Sequence, residues 1–145
     1  MLAHEGVIDP DAPVAKYLPE LKASAFGDAR VRHVMDMTVG VKYSEAYTDP
    51  AAEVRTYGIA AGYGRAPEGY DGPRSIVAFL TTLKKQGEHG EAFAYKTCNT
   101  EVLAWLVQRV TGTAMAQLIS ERIWQKIGAE EDAFIVVDPI GMAAC

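Results

Sequence analysis

The chain is short of most residues that would announce a chemistry. Two cysteines, Cys98 and Cys145, stand far apart and outside any C-x-x-C arrangement, which excludes a disulfide framework and a zinc knuckle. Both read as reduced thiols, and the compartment they point to is the cytoplasm. Three histidines, His4, His33 and His89, share no ligand spacing, so no metal site is expected. No apolar run approaches the ~20 residues that span a bilayer, and no membrane segment is expected. Basic residues are also few. The formal charge is −5 and Lys84-Lys85 is the one paired basic site, with no aromatics interleaved, which argues against nucleic acid as a partner.

What is present belongs to an ordinary globular domain. With 145 residues, 49% hydrophobic and 23% charged, the chain fits one domain able to bury a sizeable core. The opening "MLAHEGVIDP" lacks the basic-then-apolar layout of a signal peptide and reads as the last turn of a helix with Gly6 as its C-cap. The closing "AFIVVDPIGMAAC" runs out on small residues, so both ends read as cut.

Between them the spacing predicts mostly helix. Residues 13–18 make a short turn behind the Asp9-Pro10-Asp11 turn, ended by Pro19. Residues 30–38 place Val31, Val34, Met35 and Thr38 on one face before Gly40. Residues 41–72, rich in glycine and proline and holding five tyrosines, show no sustained period and are expected to form a long, ordered, lid-like loop. A helix is expected from Pro73 until Gly87, with Ile76, Val77, Phe79, Leu80 and Leu83 at helical spacing, a second from about Asn99 to Thr111 with Gly112 as C-cap, and a third from a Thr113 cap to Gly128. Only residues 133–137, "AFIVV", read as a strand. The expected fold class is therefore mainly α, a single helical domain over residues 1–145.

Three stretches carry a resemblance. "LAHEGVIDPDAPVAKYLPEL" is similar to the "EGKLDLDDPVSKYLPEF" type of segment in serine hydrolases of the β-lactamase and penicillin-binding-protein superfamily, and "VRHVMDMTVGV" resembles their "IRHLLTHTSGL". "FAYKTCNTEVLAWLVQRVTGTAMAQLISERIWQKIG" is similar to their "FxYSNxxYxLLGxIVExVTGxxxxxxLxxxIxxPLG". The three occur in the right order and cover almost the whole chain. Within the superfamily the likeness is to the 6-aminohexanoate-dimer hydrolases, which also separate the tyrosine and asparagine by an inserted pair, here Tyr95, Lys96, Thr97, Cys98 and Asn99, and carry a loop resembling "YSEAYTDPAAEV".

The resemblance implies the helical subdomain of the β-lactamase/transpeptidase-like fold and an amide- or ester-cleaving reaction on a small molecule. In such enzymes a serine attacks the acyl carbon, a lysine one helical turn later shares its proton, and a tyrosine passes the proton to the leaving group; no cofactor is needed. A phenol near pKa ~10 does this at neutral pH only beside an ammonium. Tyr95 matches that tyrosine, against the plain alternative of a core tyrosine. Asn99 matches an asparagine that faces substrate and lysine, and it is also placed to cap a helix. Tyr47 resembles a substrate-contacting tyrosine, or simply pins its loop. Asp36, Asp49, Glu53 and Asp71 have no paired spacing and receive no role.

One departure is decisive. Ser24, Ser44, Ser75 and Ser120 are followed three places on by Gly27, Tyr47, Ala78 and Ile123, so the chain contains no S-x-x-K. "HEG" at residues 4–6 and "KTC" at 96–98 match the family's closing H-x-G or K-T-G in letters only. The expectation is a helical piece of a two-domain hydrolase, inactive alone, whose α/β domain lies elsewhere and whose uncovered apolar face favours self-association. The alternative is a non-catalytic binding or structural module.

Overall fold

The computed structural model describes residues 2–144. Among the described residues six α-helices follow one another: α1 (Val14–Tyr17), α2 (Val31–Met35), α3 (Glu53–Ala60), α4 (Ile76–Thr82), α5 (Thr97–Thr111) and α6 (Met115–Arg122), with short 3₁₀ turns at Pro19–Leu21 and Trp124–Lys126. The fold is mainly helical, as the spacing implied, and no strand forms among the described residues. The "AFIVV" stretch keeps a single bridge, Val137 to Ala143, closed by hydrogen bonds from Asp138 N to Met142 O (2.8 Å) and from Ala144 N to Val136 O (2.9 Å). A β-branched run without a partner strand has nowhere to send its remaining backbone groups, so the ladder stops after one rung.

The core gathers the apolar faces of α1, α2, α4 and α5. Val14, Leu18, Leu21, Phe26, Val31, Val34, Ile76, Phe79, Leu80, Val102 and Leu106 are all buried within it. Burying a side chain of this kind stabilises by about 1.5–3 kcal/mol, so these residues decide how the helices sit. α5 supplies the long central face, and Gly112 ends it at φ 65°, where its N–H reaches Gln108 O (2.9 Å).

Several helix starts differ from the sequence reading. α4 begins at Ile76 after Ser75, whose Oγ accepts from Ala78 N (3.2 Å), three residues beyond the expected start at Pro73. Its first N–H is held by the buried Asp138, whose Oδ2 accepts from Ile76 N at 2.8 Å. α6 begins after Ala114, not at a Thr113 cap, because the Gln108 side chain reaches over from α5 and accepts from Met115 N (3.1 Å). α2 stops at Met35, which is 47% exposed, since Met37 turns into the left-handed region at φ 55°.

The stretch 41–72 is ordered but is not loop throughout. Val54, Tyr57, Ala60 and Ala61 repeat at helical spacing and bury the inner face of α3. The Glu53 carboxylate in its first turn accepts from Ser44 N (2.9 Å), fastening the helix to the strand-like run before it. Gly58 in its middle hid the period in the sequence.

Candidate active site

The start of α5 and the segment before it build the site. Ala94 N donates to Met37 O (2.9 Å), and Lys96 Nζ donates to Val41 O, so residues 94–96 are strapped to the 37–41 turn. Between these two anchors Tyr95 stands out at 62% exposure. It is not a core tyrosine.

Asn99 lies on the opposite, inward side. α5 starts at Thr97 with Lys96 as its N-cap residue, which leaves Asn99 within the first turn instead of at the cap. The capping role expected from sequence is therefore absent, because the inserted pair Thr97-Cys98 is itself helical. Asn99 is fully buried, its Nδ2 donates to Met37 Sδ (3.5 Å), and its Oδ1 has no hydrogen-bond partner. A buried carbonyl left this way costs about 1–3 kcal/mol, and it sits beside Met37, the one non-glycine at positive φ among the described residues.

Glu45, which sequence reasoning passed over, ties the third residue in. Its Oε1 accepts from Thr97 N (2.6 Å) at the start of α5, and its Oε2 accepts from the Tyr47 hydroxyl (3.1 Å). Tyr47 is 66% exposed, and the Glu45 carboxylate holds its phenol above the ordinary range, with burial and the nearby Tyr95 adding less. Structure thus brings Tyr47 and Tyr95 to one rim. A second carboxylate that spacing alone gave no reason to choose, Glu101, is fully buried one turn further along α5 and accepts from the Tyr57 hydroxyl at 2.6 Å. Burial, and then that bond, push the Tyr57 phenol far up. Cys98 is no nucleophile, since burial pushes its thiol up to about 12 and it stays protonated.

Beside the rim a groove of ≈ 630 Å³ opens between α3 and residues 63–67, with Tyr47 and Thr97 in its wall and Val54, Tyr57 and Ile59 along it. Among the described residues no single helix is long and apolar enough to cross a membrane; α5 with the α6 segment meets that test only as a pair bent by 80°.

The mainly helical layer agrees with the helical subdomain of the β-lactamase-like fold. The family model described as Beta-lactamase matches residues 1–143, and the chain belongs to that family. It is 44% identical over 140 residues to a 6-aminohexanoate-dimer hydrolase of Paenarthrobacter ureafaciens, an alignment covering 97% of this chain and 35% of that protein. Among solved structures it superposes with a TM-score of 0.85 on a Bacillus anthracis protein assigned to the 6-aminohexanoate-dimer hydrolases, at 36% identity, over 99% of this chain and 39% of that one. A D-stereospecific amidohydrolase from Streptomyces sp. follows with a TM-score of 0.61 and 25% identity, over 86% of this chain and 36% of that one. The chain spans between a third and two fifths of the length of these relatives.

Proposed function

We propose that this chain is the helical part of a serine hydrolase cleaving amide or ester bonds of small molecules, and that it contributes Tyr95, Asn99 and Tyr47 to an active site completed by residues outside it. The observation that carries this reading is the pairing, at the head of α5, of an exposed phenol at Tyr95 with a buried, unpartnered amide oxygen at Asn99. An ammonium beside the exposed Tyr95 hydroxyl would ease transfer of its proton. A lysine one turn after a serine nucleophile supplies it. The serine adds to the acyl carbon, its proton enters the lysine and tyrosine network, and Tyr95 hands a proton to the departing amine or alcohol; water then releases the acyl group by the reverse path.

Tyr47 contacts the substrate from the rim, with its hydroxyl oriented by Glu45. The amide of a 6-aminohexanoate dimer is one substrate of the right kind, given the relatives named above. Alone, the 145 residues hydrolyse nothing, since a missing nucleophile costs on the order of a millionfold in serine hydrolases. Exposed apolar side chains such as Ile127, Phe134 and Ile140 are the kind of surface that an α/β domain, or failing that a second copy, would cover.

The test uses the full-length protein. Tyr95→Phe should keep the fold yet slow amide turnover by roughly 10²–10⁴-fold, the worth of a lost acid/base step, with a smaller loss on p-nitrophenyl esters, whose leaving group hardly needs a proton. Amide turnover at the wild-type rate would reduce Tyr95 to a surface tyrosine.

A further inference from the structure

His89, which shows no ligand spacing in the sequence, has its side chain only 7% exposed and its ring stacked on that of His33 at 5.7 Å. Both ring nitrogens are engaged. Nδ1 accepts from Gly40 N (3.0 Å), and Nε2 stands 2.9 Å from Asp28 Oδ1. A backbone amide can only donate, so Nδ1 carries no proton; Nε2 carries it and donates to the Asp28 carboxylate, whose other oxygen accepts from Lys85 (2.6 Å). One tautomer of the neutral ring satisfies both partners.

What this ring holds is the turn from which the site hangs. Gln86 N donates to Gly40 O (3.0 Å), Lys42 N to Lys84 O (2.8 Å) and Gly90 N to Thr38 O (2.8 Å), and the His89 side chain closes the same seam at Gly40 N. The two runs touch, since a Cβ at Gly40 would stand 2.4 Å from Gly87 O. Gly40 is buried and lies between Met37 and Val41, the two residues whose carbonyls take Ala94 N and Lys96 Nζ on either side of Tyr95. Met37 also meets Asn99 through its sulfur.

Tyr95 is 62% exposed, so its place is set by the backbone that carries it more than by packing around its ring. We propose that His89, as a neutral ring protonated on Nε2, is a positioning residue for the reaction: it latches the 37–41 turn at Gly40 and thereby fixes where the Tyr95 hydroxyl stands. This rests on the hydrolase reading for the role of Tyr95, whereas the latch itself is made wholly of residues in this chain.

Two substitutions separate the ring's two bonds. Asn sets an amide oxygen where Nδ1 stands and still takes the Gly40 N–H; Gln reaches further, sets an amide N–H where Nε2 stands, and keeps Asp28 while abandoning Gly40. The substrates are butyryl p-nitroanilide and p-nitrophenyl butyrate, which share an acyl group and differ in how far the leaving group needs a proton. In the full-length protein His89→Asn should keep kcat on the anilide within about threefold of wild type, and His89→Gln should lower it about tenfold or more, since a misplacement of ~1 Å can cost ~10²-fold. The ester should lose less in His89→Gln, because its leaving group hardly needs the Tyr95 proton. Equal effects in the two variants, or equal losses on the two substrates, reduce His89 to a residue that only holds the fold and overturn the proposal.

If wild-type protein turns over neither substrate, the hydrolase reading fails by itself, and the latch is decided by amide hydrogen exchange. Gly40 and Ala94 N–H groups protected in wild type and His89→Asn but released in His89→Gln sustain it; equal protection in all three ends it. Long-range proton–nitrogen NMR of the wild-type ring gives a reading that needs no variant to fold: a proton on Nε2 with Nδ1 bare is expected, and a proton on Nδ1 overturns the latch.

Discussion

α5 and α6 follow each other across a single glycine turn, and both carry apolar residues at helical spacing, yet their fates differ. α5 buries seven of its fifteen residues, including Asn99 and Glu101, while α6 buries only Leu118. Beyond α6 the contrast grows: Ile123, Ile127, Phe134, Val137 and Ile140 are all about half exposed or more, and Phe134 is 94% exposed. Periodicity reports that a helix has an apolar face, and says nothing about whether anything covers it. The difference comes from position, because α5 has α1, α2 and α4 around it, whereas α6 meets mainly the Trp124–Lys126 turn that follows it and the end of α5, with the Arg122–Glu5 ion pair (3.2 Å) at its close.

The strongest way to break this contrast is to cut the same kind of side chain from each region. Leu106→Ala, at the centre of the α5 face, should destabilise by about 2–5 kcal/mol in urea unfolding, whereas Phe134→Ala should stay within about 0.5 kcal/mol. Comparable losses would mean that the tail is packed in solution.

Two polar ties sharpen it further. Asp138 joins the tail to the core, its Oδ2 holding Ile76 N at 2.8 Å and its Oδ1 holding Ile140 N (3.0 Å) and Met142 N (2.8 Å). Asp138→Ala leaves three donors in a buried setting and should cost about 2–4 kcal/mol, since each unmade bond of this kind costs 1–3 kcal/mol and water recovers part. Hydrogen exchange should rise first at Met142 and Ile76; exchange unchanged at both would show that the tail is held by something else. Tyr57→Phe removes the 2.6 Å bond to Glu101 without changing ring packing, and should cost about 1–3 kcal/mol by thermal or urea midpoint.

The smallest expected effect is on pH. Asp28 accepts hydrogen bonds from Lys85 (2.6 Å) and His89 (2.9 Å), which hold its carboxyl down at about 2 against an ordinary 3.8. A lowered carboxyl stabilises the fold in full above about 3.8, and that contribution is lost as pH falls from 3.8 towards 2. Asp28 is 63% exposed, so screening keeps the effect below about 1 kcal/mol. Comparing Asp28→Asn with wild type at pH 5 and pH 2.5 reads it directly: the gap between them should shrink at the lower pH, and a constant gap would remove the linkage.

Tyr95, Asn99 and Tyr47 are singled out by the pattern of family residues around them, not by chemistry legible in their own spacing. Glu45 and Glu101 escaped because a carboxylate two residues from Tyr47, or one turn into an apolar helix, looks like an ordinary surface charge until its partner appears from 44 or more residues away.

By itself the sequence determined the helical class, the C-cap at Gly112, the rough extents of α1, α2, α4 and α5 and the absence of an S-x-x-K pair, since each depends on residues near one another in the chain. Tertiary structure alone decided that Asn99 faces inward with its Oδ1 unpartnered, that α3 forms inside residues 41–72, that the Gln108 and Asp138 side chains fasten the starts of α6 and α4, and that one helix face is covered while the next is not. Those outcomes depend on which groups meet across the fold, and burial and hydrogen-bond satisfaction are properties of that meeting, which no local spacing encodes.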